Sequence, residues 1–407
     1  MSQVCLREYR GTGRITSEFG TQTTCEFALS QFATGRRILA CRSSDPAALS
    51  LTKENEEKPL LKCRFEGVLE DGATRIAVDV MYLNVTTFSA KNGHFEPLRF
   101  KFYPWSPVHI RYEQHSADLQ VDYRIGLTNL VFIGSHLVTR GTRTSPSRIP
   151  LNVQGCEVSL EILGWYGDIR ARLSESLGTE VTAHLITKAS IADWHLVTKL
   201  SEDLCLLLSF ASGTWVAPIY EDALLDNRPV ATILPPAKTL PYSNADRVID
   251  TRNGNELREF IETAYGNYVK AKNELGMDIV IEYYVHSKSA RILEIKYLIA
   301  CIGMECLKSY LSGYFAARNK NPDLRFFRGS LESLFQELSM PYRSSELDFI
   351  DIRGEIVHTG RFPTNIDSVE EYYKLLNLYE RTVLTVLGYR GKPYLNAAKR
   401  YTKETVP

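Results

Sequence analysis

Two hydrophobic periods divide this chain. Up to about residue 190, apolar and polar residues alternate with period two. "ATRIAVDVMYLNVTTF" (73–88) is the longest such run, rich in β-branched and aromatic residues. "PLRFKFY", "HIRYEQH", "LQVDYRIGL", "RIPLNV" and "EVSLEIL" repeat the pattern. "EDG" (70–72) and "KNG" (91–93) supply turns between them. Many short strands at this spacing predict a β-sandwich or barrel-like β domain over 1–190.

The pattern then turns helical. "SEDLCLLLSFASG" (201–213) opens with first-turn acids and closes on glycine, which predicts a buried helix. Residues 216–244 hold five of the seventeen prolines. Proline lacks a donor and stops helices, so 191–252 reads as a helix plus a proline-rich connector or extended arm. From 253 to 407 apolar residues recur at helical spacing, in 255–275, 278–287, 291–317, 330–338 and 368–388. In 291–317, Ile295, Leu298, Ile302 and Cys306 share one face. In 368–388, Ser368 and Glu371 suggest a capping box, and Tyr372, Leu375, Leu376, Tyr379 and Val383 a buried stripe. The expected fold is α+β in two domains, a β-rich domain followed by an all-α bundle.

Composition narrows the function. Among 407 residues, 48 basic and 48 acidic side chains cancel, so any nucleic-acid site must be local rather than a global field. The eight cysteines form no C-x-x-C pair and read as reduced and mostly buried, with no metal site. No signal-like run opens the chain, and "LCLLLSFA" (204–211) is too short to cross a bilayer. The expected setting is cytoplasmic, away from membranes.

The chemistry gathers in "DFIDIRGEIVHTGRFP" (348–363). With Phe349 at zero on a helical wheel, Ile352, Ile356 and Val357 define an apolar face. Arg353 falls at about 40° inside it, and His358 at about 180°, opposite. A guanidinium keeps its charge, so Arg353 needs a carboxylate, a subunit interface or an anion. Glu305, inside the most apolar helix, is the leading partner. One reading is a structural Arg353–Glu305 salt bridge. The other is RNA cleavage: histidine titrates near neutrality and serves as base or acid, while arginine braces charge on phosphorus. Five residues apart, the two point different ways, so two helices meeting across a dimer would complete one cleft.

"IRGEIVHTG" resembles the R-x4-H motif of the HEPN superfamily, and "EYYVHSKSARILEIKYLIACIGMECLKSYL" resembles that family's long helix with its embedded glutamate. The resemblance covers about 255–390. The layout is similar to ApeA-like anti-phage HEPN proteins. It implies a HEPN helical bundle that forms a homodimer and acts as a metal-independent endoribonuclease without a cofactor. Arg353 would contact phosphate, His358 would be catalytic, and Glu305 would support the arginine. RNA, tRNA included, would be the substrate, and a phage-derived trigger a partner. Active members usually carry a polar residue after the arginine, where this chain has Gly354.

Other stretches carry weaker signals. The tail "YRGKPYLNAAKRYTK" (389–403) interleaves bases and tyrosines, making Lys392, Lys399, Arg400 and Tyr401 candidate RNA contacts. "TRGTRTSPSR" (139–148) reads as an exposed basic loop. "RGTGR" (10–14) lacks the features of a nucleotide loop. Trp165 with Tyr166, and Trp194 with His195, read as core aromatics.

Overall fold

The computed structural model describes residues 5–87, 90–91, 94–95, 97–112, 115–176, 178–236, 238–243, 246–391, 394–397 and 400–403. Alternation builds a barrel first. β1 (Cys5–Ser17), β2 (Gln22–Phe32) and β3 (Arg37–Ser43) are followed by a short helix, α1 (Ala48–Glu57). β4 (Lys62–Leu69) and β5 (Arg75–Thr87) come next, then the two-residue strands β6 (Ala90–Lys91) and β7 (His94–Phe95), then β8 (Leu98–Pro104) and β9 (Val108–Arg111). The antiparallel order β1–β2–β3–β8–β5–β4 returns to β1, a closed ring of six strands that leaves no free edge. Its interior is filled by residues such as Leu29, Leu39, Phe100 and Phe102, with Phe27 and Phe65 edge to face at 4.9 Å.

β5 also pairs with β9, and from there the sheet runs on as an open one. Its strands are β10 (Gln120–Thr128), β11 (His136–Arg140), β12 (Arg143–Val153), β13 (Cys156–Ile162), β14 (Val181–Ser190), β15 (Pro218–Leu225) and β16 (Arg228–Leu234). The order beyond β5 is β9–β16–β15–β10–β14–β13–β12–β11. The stretch expected to be a proline-rich connector therefore contributes two inner strands. Pro218 starts β15, and Pro229 stands at a register shift, the places where a missing donor costs least. The expected loop at 139–148 is a hairpin, its two strands pairing from Arg140–Arg143 to His136–Arg148. "RGTGR" lies inside β1.

The helices are α2 (Tyr166–Ser176), α3 (Trp194–Ser212), α4 (Gly254–Leu275), α5 (Met277–Ser289), α6 (Leu293–Ala316), α7 (Phe327–Glu337), α8 (Phe349–Thr359) and α9 (Ser368–Val386). α3 starts two turns before Ser201, so Trp194 opens the helix. It donates to Glu221 Oε2 at 2.8 Å and meets Tyr123 edge to face. Trp165, read as core, is 59% exposed. α9 is capped by Asp367, which accepts from the backbone of Val369 and Glu370, rather than by a box at Ser368. Its expected stripe is buried. A final hairpin joins β17 (Tyr394–Ala397) to β18 (Arg400–Lys403), which places Arg400 and Tyr401 in a strand. Lys392 and Lys399 lie outside the described residues.

Two cores result, and they divide the chain elsewhere than at 190 or 252. One fills the barrel. The other runs without a break from the open sheet (Tyr123, Leu160, Leu185) through α3 to α4–α9. Three side chains tie the barrel to the sheet. Arg7 forks onto Asp222 at 2.7 and 2.6 Å. Gln31 donates to the carbonyl of Ile219 at 2.6 Å. Buried Arg37 donates to the carbonyls of Pro104, Ser106 and Leu234, and burial lowers its pKa to about 10. Five cysteines are buried, and all eight are free thiols. No helix among the described residues is long and apolar enough to cross a membrane.

Candidate active site on helices α6 and α8

α8 has only eleven residues and a glycine inside it, so its ends need support. Arg328 of α7 reaches the carbonyl of Leu347 (3.2 Å) and the carboxylates of Asp348 (3.4 Å) and Asp351 (3.1 Å) around the first turn. Those acids also suit the positive end of the helix. At the other end Gly360 takes the left-handed conformation (φ 74°), and its N–H closes onto the Ile356 carbonyl. Thr359 donates to the Glu355 carbonyl and accepts from the Arg361 N–H. The "HTG" of the sequence is thus a helix stop. Phe349 and Ile356 are buried, and Phe349 meets Phe327 edge to face. Val357, expected on the buried face, is 59% exposed.

α6 is fixed by a close approach. A Cβ on Gly303 would fall 2.1 Å from the Tyr379 hydroxyl and 2.8 Å from Tyr283 Cβ, so only glycine lets α6 settle against α5 and α9 here. Tyr379 in turn donates to the Val280 carbonyl at 2.6 Å. The inward face is Tyr297, Ala300, Cys301, Met304, Leu307 and Leu311. The stripe read from the sequence is split: Ile295 is 44% and Ile302 37% exposed, while Leu298 and Cys306 pack against the core. Leu298 and Cys306 are half-buried. α6 is apolar on both sides, and among the described residues Ile295 and Ile302 on its outer side stay part-exposed.

Glu305 sits at the border of that strip. Its Oε2 lies 2.6 Å from Arg353 Nη2, with the two side chains 39% and 33% exposed. The pair joins α6 to α8 at the surface rather than in the core. Beneath it, burial pushes the Cys301 thiol far up, Arg353 pulls it down and Glu305 up, so the sulfur stays protonated and unreactive. His358 is exposed in the last turn of α8, with no hydrogen bond to another described residue. Set about 140° round the helix from Arg353, it leaves α8 in a different direction. A Cβ at Gly354 would meet nothing within 4 Å.

The arrangement offers a forked cation held by an acid, a free imidazole and an apolar strip. It can brace a phosphate and move a proton. Among the described residues no cluster of histidine, cysteine and carboxylate could hold a metal ion. A concavity of about 1660 Å³ lies elsewhere, on the barrel, where Arg14, Arg42, Arg75, His109 and Arg111 stand among Glu26, Glu66 and Asp79. His109 there is half-buried, and burial pulls its pKa down while Asp79 pulls it up. The chain matches no family model and no curated protein.

Proposed function

We propose that this protein is a HEPN-type endoribonuclease that works as a homodimer in the cytoplasm. Its role would be that of an anti-phage effector of the abortive-infection kind, with the barrel and sheet sensing a trigger or restraining the helices. The observation that carries the reading is the Glu305–Arg353 pair at the border of a part-exposed apolar strip, with exposed His358 beside it on α8. A second copy on that strip would bring an Arg353 and a His358 from different chains to one phosphate.

The chemistry needs no metal. His358 takes the proton of a 2′-hydroxyl, and the oxygen attacks the adjacent phosphorus. Arg353 donates to the non-bridging oxygens as charge builds on them. The 5′-oxygen leaves with a proton from an imidazolium. The products are a 2′,3′-cyclic phosphate and a 5′-hydroxyl. Glu305 keeps the guanidinium aimed.

A second reading is a non-catalytic dimerisation or regulatory module. Gly354 favours it, because the position after the arginine carries no polar group. One experiment separates the two. Wild type, Arg353→Ala and His358→Ala are expressed in phage-infected cells, and their RNA is mapped in the presence of EDTA. Cyclic-phosphate ends from wild type alone, with both variants melting normally, support the nuclease. No cleavage by any of the three, with Arg353→Ala also failing to self-associate, supports the module.

A further inference from the structure

Trp105 is 71% exposed, with no helix or strand over it, at the turn from β8 to β9. A lone exposed indole is ordinary, but one grouped with other rings and with cations makes a contact surface. Its surroundings are ordered. Its backbone N–H donates to the Val80 carbonyl at 2.8 Å, and its ring meets Tyr82 edge to face at 6.1 Å. Tyr82 stands in register between Tyr103 of β8 and Lys62 of β4. Arg36 donates to the Tyr103 hydroxyl at 2.7 Å and holds its guanidinium 5.1 Å from that ring. Lys101 lies two residues before Tyr103, on the same face of β8. Three rings and three cations therefore occupy one outer band of the barrel, across strands about 4.8 Å apart, with one carboxylate at its end, Glu18, which accepts from the Lys62 backbone N–H at 3.1 Å.

We infer that this band binds single-stranded nucleic acid. Bases would stack on Trp105 against the edge support of Tyr82, and phosphates would lie along Lys62, Lys101 and Arg36. The charge decides among occupants. A neutral oligosaccharide could use the rings but gains nothing from the cations. A duplex offers the cations phosphates but hides its base faces. A single strand presents both, and stacking on a ring tolerates any base. Leu60 and Phe19, exposed beyond Lys62, make an anionic bilayer the competing occupant. The band is distinct from the helical site, and binding here does not require that Arg353 and His358 cleave anything.

The test uses the full chain carrying His358→Ala, so that bound RNA stays intact. Binding of a fluorescein-labelled 12-residue oligouridylate is compared for that chain, for a version with Trp105→Ala and for one with Trp105→Phe. The expected result is quenching of tryptophan fluorescence on binding. Trp105→Ala weakens the affinity about tenfold, and Trp105→Phe keeps most of it. Heparin, a polyanion without bases, binds all three equally. Thermal melts of the variants should match, since the side chain is exposed. Unchanged oligouridylate affinity in Trp105→Ala overturns the inference. So does capture by phosphatidylserine vesicles with no binding of the oligonucleotide.

Discussion

Glu305 and Arg353 keep a third or more of their side chains in water, so their attraction is screened. Replacing Glu305 by glutamine removes the charge but not the shape. Chemical denaturation should register a loss of no more than about 1 kcal/mol. Lys288 and Glu380 are the contrast. Their side chains are 4% and 1% exposed, 3.6 Å apart between α5 and α9. The Tyr284 hydroxyl accepts from Lys288 (2.7 Å) and donates to Glu380 (2.6 Å), and Lys288 also donates to the Asp246 carbonyl. Burial pushes the lysine down and the glutamate up, against their mutual pull. Lys288→Met should cost about 3–5 kcal/mol in the same measurement, because it strands a carboxylate in the core. A Glu305→Gln loss as large as that of Lys288→Met would mean that the surface pair is structural after all.

At the scale of elements, α6 carries the argument. Its sequence is apolar on nearly every side, so periodicity could find a stripe but could not say which stripe faced the core. Ile295 and Ile302 fitted a helical face as well as Cys301 and Met304 did; packing against Gly303 and Tyr379 made the choice. The outward stripe should therefore be an interface. Ile302→Asp should leave the melting temperature within a few degrees of wild type and shift the chain to monomer in sedimentation velocity. An unchanged sedimentation coefficient would remove the strip from the dimer. Other elements were easier to read. α9 shows its stripe because one side of it is polar, and β5 because it is rich in β-branched and aromatic residues, although its alternation changes phase between Val78 and Met81. β15 and β16 were hidden by their prolines, whose placement at a strand start and a register shift is a property of the sheet, not of the local sequence.

Across the whole molecule, the barrel and the helices are linked mechanically. Arg7, Gln31 and Arg37 fasten the barrel to β15 and β16, and the open sheet shares one core with α6 and α8. The sequence set a strand-rich half before a helical one but missed α1, α2, β15 and β16 and did not separate the two cores, because long-range pairings such as β5 with β9 leave no local mark. Of the candidate site, it put forward Arg353, Glu305 and His358. It already pointed Arg353 and His358 different ways, but it could not tell that Arg353 and Glu305 would pair at the surface rather than in the core.

The central claim is that two chains supply one catalytic centre. Mixing Arg353→Ala with His358→Ala tests it directly. The two inactive proteins are co-expressed with different tags, the mixed dimer is isolated through both, and RNA cleavage is measured. The account predicts that activity returns in the mixed dimer, where one centre regains an intact arginine and an intact histidine. A mixed dimer as inactive as either parent, beside an active wild-type dimer prepared the same way, would contradict it.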